Sequence, residues 1–102
     1  MKTSAHIKFL EWGISCGFVV KITNDEENNR ILIIADQKNL EIQIIIGADE
    51  KCEFTLFERN DKGKSFDIIK NKRVNTMGEC ISNIENLIFE KQKITVNKNF
   101  NE

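Results

Sequence analysis

Residues 40–54, LEIQIIIGADEKCEF, decide how this chain is read. Leu40, Ile42, Ile44 and Ile46 recur at every second position, the period that lines one face of a strand. Gly47, Ala48, Asp49 and Glu50 then suit a turn, after which Cys52, Phe54 and Leu56 resume the alternation. So short a link cannot return the chain to a parallel neighbour, and the two runs are expected to form an antiparallel hairpin. Asp49, Glu50, Glu53 and Cys52 gather at its turn, while Ile45 stands out of phase with the apolar set.

Working outward, segments 18–23, 30–35, 51–58 and 64–69 share this β-branched and aromatic character with 40–46. The links between them, NDEENN, DQKN, GADE and NDKGK, are short and made of turn-forming residues. A sequential five-stranded antiparallel meander follows. Ahead of it, Thr3 or Ser4 can cap a helix that Gly17 ends. That helix carries two apolar stripes: Ile7, Leu10 and Ile14, and Ala5, Phe9, Trp12 and Cys16. After the meander, Thr76 and Glu79 form a capping box, and Met77, Cys80, Ile81, Ile84, Leu87 and Ile88 repeat at helical steps. The expected fold is therefore α+β, with N-terminal and C-terminal helices packed on one face of the sheet. Residues 1–92 form the single domain, and 93–102 are expected as a short edge strand or flexible tail.

Period-two reading assigns Phe18, Val20, Ile22, Leu40, Ile42, Ile44, Ile46, Cys52, Phe54, Leu56, Phe66 and Ile68 to the covered face. Lys21, Glu41, Gln43, Glu53, Thr55 and Asp67 then fall on the other, which they share with Val19, Ile45, Phe57 and Ile69. One register of Ile31 and Ile33 would join them. Apolar residues ringed by polar ones are the make-up of an interface core, and a partly wet sheet face is the plainer reading.

With 102 residues, 40% apolar and 30% charged, the composition is that of one globular domain. No apolar run is long enough to span a bilayer, and MKTSAHIKFLEW lacks the apolar segment of a signal peptide. Cys16, Cys52 and Cys80 are odd in number and widely spaced, which suits reduced thiols rather than a disulfide framework or zinc ribbon. A cytoplasmic location is expected. The abundance of Ile, Lys and Asn, all favoured by AT-rich coding, suggests a bacterial or phage origin, the cytoplasm then being that of the bacterium or of the host.

The catalytic inventory is thin. His6 is the single histidine, has no acid or thiol at a fixing distance along the first helix, and would lie about 15 Å along the axis from Cys16. No phosphate-binding, dinucleotide, zinc-protease or calcium-loop motif is present. The carboxylates Asp25, Glu26, Glu27, Asp49, Glu50 and Glu53 fall at or beside hairpin tips, where solvation organises nothing for metal or proton chemistry. The expectation is a non-enzyme with no cofactor and no metal.

Charge is zoned although the net charge is −1: residues 25–58 hold nine acids against three bases, a balance of −6, whereas residues 59–73 hold six bases against two acids, a balance of +4. An acidic lobe can steer a protein onto a partner with a basic groove. In size and helix–sheet–helix order the chain resembles small toxin-immunity and anti-CRISPR inhibitors, which implies an inhibitor that blocks one protein partner. Val19, Ile45, Phe57 and Ile69 would form the contact, with the acidic tips at its rim; a second copy closing the face is the other occupant considered. The alternative is a nucleic-acid-binding or regulatory domain in which Lys70, Lys72 and Arg73 touch phosphate.

Overall fold

The computed structural model describes residues 3–60 and 65–100, with side chains described as far as Glu90. Helix α1, Ala5–Ser15, leads into strands β1 (Val19–Asp25), β2 (Arg30–Gln37), β3 (Leu40–Ile46), β4 (Cys52–Arg59) and β5 (Phe66–Val74), and helix α2, Met77–Phe100, closes the chain. The five strands pair in chain order, every pair antiparallel. The α+β meander with a helix at either end is as expected from the sequence.

Each helix end has a local cause. The Thr3 hydroxyl accepts from the Ala5 amide at 3.2 Å, so Thr3 rather than Ser4 supplies the side-chain cap of α1. At its other end Gly17 takes φ +85°, the Gly17 amide donates to the Ile14 carbonyl, and the Phe18 amide donates to Gly13 at 2.8 Å. These paired bonds over a left-handed glycine turn the chain straight into β1. Gly13 lies where α1 comes nearest β1, since a Cβ there would stand 2.8 Å from Val20 Cγ2. At the start of α2 the Thr76 hydroxyl accepts from the Glu79 amide at 3.1 Å, one half of the capping box.

The helices lie on one face of the sheet, α1 against β1 and β2, α2 against β4 and β5. Both run the same way: residues 3–8 meet residues 75–78 and the β3–β4 turn at one end, while Trp12 and Cys16 meet Ile88 and Phe89 towards the other. Between helices and sheet lies one core of Phe9, Phe18, Ile31, Ile33, Ala35, Ile42, Ile44, Ile46, Cys52, Phe54, Leu56, Val74, Met77, Cys80, Ile81 and Ile84. Trp12 stacks on Phe18 with ring centres 5.7 Å apart and closes its edge. Among the described residues no helix is long and apolar enough to cross a membrane.

Three sequence expectations are corrected. Phe66 and Ile68 lie outside the core, because the β4–β5 register passes from Leu56↔Lys70 to Phe57↔Ile68 and leaves Ile69 as an extra residue. That bulge flips the start of β5 onto the opposite face. β5 also runs from Phe66 to Val74 rather than over 64–69, so Lys70, Lys72 and Arg73 lie within the strand. Finally, of the two expectations for residues 93–102, a short edge strand or a flexible tail, the edge strand does not hold, because residues 93–100 continue α2. A helix already nucleated gains a hydrogen bond with each residue added, which outweighs the weak strand preference of Ile94, Thr95 and Val96.

Candidate interaction face

The pairing fixes which side chains share the uncovered face. One row across β1 to β5 reads Val19, Asp36, Glu41, Phe57 and Ile68; the next reads Lys21, Ile34, Gln43, Thr55 and Asn71; the third reads Thr23, Leu32, Ile45, Glu53 and Arg73. Rows lie about 7 Å apart along the strands. Arg59 and Phe66 pair beyond the first row, with the guanidinium 5.0 Å from the ring centre, and Phe66 meets Phe57 edge-on at 6.1 Å.

Two apolar patches result. Leu32, Ile34 and Ile45 adjoin at the centre, and Phe57, Phe66 and Ile68 cluster at the β4–β5 corner. Ile34, Ile45 and Phe66 are exposed, and Ile68 is 65% exposed. Of the residues expected to make one strip, Ile45 and Phe57 share the face but lie two rows apart, about 14 Å along the strands. Val19 is 75% exposed at the β1 edge, cut off from Phe57 by Asp36 and Glu41, and Ile69 sits in the bulge.

The acidic candidates divide by their partners. Asp25 closes its hairpin by accepting from Asn28 and pairing with Arg30 at 2.8 Å, and these hydrogen bonds hold its carboxyl below the usual carboxylate value. Asp49 Oδ1 accepts from the Lys51 amide at 3.1 Å, and Glu50 takes φ +66° in the same turn. Glu53 accepts from Asn71 and lies 3.5 Å from Arg73. Glu26 and Glu27 are exposed at the β1–β2 tip. Both acidic tips lie at the same end of the sheet, so they border one side of the face. The knot of carboxylates in residues 40–54 thus serves the turn.

The basic candidates part company. Arg73 belongs to the open face, whereas Lys70 and Lys72 pair with Leu56 and Phe54 on the helix side, where Lys72 donates to Asn83 of α2 at 3.1 Å. They form no single basic cluster.

Groups suited to chemistry are dispersed. Cys52 and Cys80 are buried free thiols; burial, aided by the charges of Asp49 and Glu50, pushes Cys52 up to about 11, and burial with neighbouring Cys52 pushes Cys80 up to about 12. Cys16 is exposed. His6 Nδ1 and Trp12 Nε1 are buried without a hydrogen-bond partner. A groove of about 550 Å³ between α1 and α2 is lined by Trp12, Phe18, Ile88 and Phe89 with Cys16, Gln37, Glu85 and Asn86, and the polar neighbour of the Cys16 thiol is the Ser15 hydroxyl at 4.0 Å rather than Glu85. Among the described residues no three His, Cys, Asp or Glu side chains are grouped to hold a metal ion.

Sequence reasoning missed Leu32, Ile34, Asp36, Phe66 and Ile68 as members of the open face. The first three were within reach: Gln37 pairs with Leu40 around Lys38 and Asn39, so counting back from that turn sets Asp36 opposite Glu41. Phe66 and Ile68 depended on the bulge. Comparison with protein-family models, with curated proteins and with solved structures found no match to this chain.

Proposed function

We propose that the chain is a non-enzymatic protein-binding inhibitor that blocks one partner by laying the uncovered face of its sheet against it. The observation that carries this reading is the open face itself, where Leu32, Ile34, Ile45, Phe57, Phe66 and Ile68 stand opposite a face that two helices cover. Large apolar side chains interspersed with Gln43, Thr55 and ion-paired Glu53 have the composition of an interface core with a polar surround. Five strands at about 4.8 Å spacing and seven-residue depth give a face of roughly 24 by 24 Å, comparable with one side of a standard interface. Glu26, Glu27 and Glu50 at one end add negative charge that speeds encounter with a basic partner surface.

The small size and helix–sheet–helix order favour an inhibitor of the toxin-immunity or anti-CRISPR kind, acting in the cytoplasm of a bacterium or of a phage's host. The separation of Lys70 and Lys72 from Arg73 weighs against a phosphate-binding surface. The test is to capture the partner on the immobilised chain and assay that partner's own activity. A stoichiometric complex with lost activity is expected, abolished by Ile45→Asp or Phe57→Asp while circular dichroism is unchanged. Full inhibition by both variants would refute the reading.

A further inference from the structure

The sheet has two edges, β1 and β5, and they are built differently. β5 carries Lys70, Lys72, Arg73 and the bulge at Ile69, devices that keep another strand from adding to an edge. β1 has one charged side chain between Val19 and Asn24, that of Lys21. Its outward backbone groups follow from the ladder. The Gly47 amide donates to the Lys51 carbonyl and the Arg59 amide to the Asn39 carbonyl, so odd-numbered residues of β3 bond to β4. Alternation then turns the even residues of β3 to β2 and the even residues of β2 to β1. The amides and carbonyls of Val20, Ile22 and Asn24 are left on the outer edge.

The helix above this edge has an open flank. Trp12 and Cys16 face α2, Phe9 and Gly13 are buried towards the sheet, and helical spacing puts Leu10, Ile14 and Ile7 on the side away from α2. Ile7 and Ile14 are exposed.

We propose that β1 pairs antiparallel with β1 of a second copy, with Thr23 on the two-fold axis, giving one ten-stranded sheet on which the two α1 helices pack. Charge selects this register. An axis at Lys21 opposes two ammonium groups, and one at Ile22 leaves Lys21 as near to Lys21 of the copy as to its Asp25. With the axis at Thr23, Lys21 faces Asp25 of the copy on both sides, and Ile22 and Asn24 exchange backbone hydrogen bonds. Lys21 has no ion pair among the described residues. Asp25 uses Oδ2 for Asn28 and Arg30, while its Oδ1 receives only the Asn28 amide at 3.4 Å.

The helix layer gives the same axis independently. α1 runs opposite to β1, and Gly13 abuts Val20. From Gly13 back to Ile7 is about 9 Å along the helix, and from Val20 on to Thr23 about 10 Å along the strand, so the two Ile7 side chains meet at the axis. Because α1 lies over both β1 and β2, the two helices stand about 10 Å apart, an ordinary packing distance. The open face of the sheet stays uncovered, so this pairing neither needs nor blocks the docking proposed above.

The test uses the full chain. Sedimentation velocity from about 10 µM to about 1 mM should show monomer passing to dimer, a weak one because a contact of roughly 17 by 20 Å is smaller than one side of a standard interface. Cys16, the exposed thiol, is then removed as Cys16→Ser, and Thr23→Cys or Asn71→Cys is added. In a glutathione redox buffer Thr23→Cys should form a disulfide-linked dimer roughly tenfold or more faster than Asn71→Cys on β5, since opposed residues without mutual backbone bonds suit a disulfide. Ile7→Asp and Lys21→Glu should each slow that cross-linking several-fold with circular dichroism unchanged. A chain monomeric at every concentration, equal cross-linking at the two edges, or a dimer that both variants leave intact overturns the proposal. So does a dimer lost in Phe66→Asp, which lies on the open face.

Discussion

The two faces of this sheet are made from the same five strands, and they differ in how their apolar residues are backed. On the helix side Ile42, Ile44 and Ile46 alternate without a break and share a core with Phe9, Cys80 and Ile84, so these side chains are shut off from water. On the other side apolar residues come in two patches separated by Asp36, Glu41, Gln43 and Thr55. The first face is specified by continuous burial and the second by a mixture that folding alone does not require.

The sharpest way to break this comparison is to truncate one phenylalanine on each side. Phe54→Ala should cost about 3–5 kcal/mol, because it leaves a cavity in a packed core. Phe57→Ala, half-buried on the open face, should cost less than about 1.5 kcal/mol in the same urea titration. Similar losses from both would mean that the open face is a second core.

A pH titration probes the covered face from within. Cys52 and Cys80 have folded values raised to about 11 and about 12 from an ordinary 9, so the unfolded chain releases these protons first. Their neutral thiols leave stability unaffected below about pH 9, and stability then falls between about pH 9 and the folded values, by on the order of 2 kcal/mol per thiol at pH 11. Cys80→Ala should flatten this alkaline slope. At neutral pH a thiol reagent should modify Cys16 quickly and the two buried thiols only on unfolding.

Gly17→Val should cost about 1–2 kcal/mol, since a branched residue would have to adopt φ +85° where α1 turns into β1. The smallest effect has the opposite sign. Asp36→Asn removes a like-charge opposition and should raise stability by about 0.2–1 kcal/mol, measured as a higher denaturation midpoint. A loss there would show that the Asp36 carboxylate makes a stabilising contact that outweighs the repulsion.

Much of the covered face was legible in the sequence. Strand β3 was read to its ends, and Thr76, Glu79 and Gly17 announced their helix ends, because alternation and capping act over a few residues. The open face was less legible because it depends on register. A single extra residue, Ile69, inverts Phe66 and Ile68, and nothing within 64–69 marks it. The extension of α2 past Lys91 was hidden for a related reason: Ile94, Thr95 and Val96 favour a strand locally, while the helix before them carries the chain on.

The central claim is that the open face, and not the helix layer, meets the partner. Its most direct test is partner capture by three variants of equal chemistry: Ile45→Asp and Phe66→Asp on the sheet, and Ile14→Asp on α1, where Ile14 is 62% exposed. Loss of capture by the first two with full capture by Ile14→Asp is the predicted result. Capture retained by both sheet variants and lost by Ile14→Asp would contradict it.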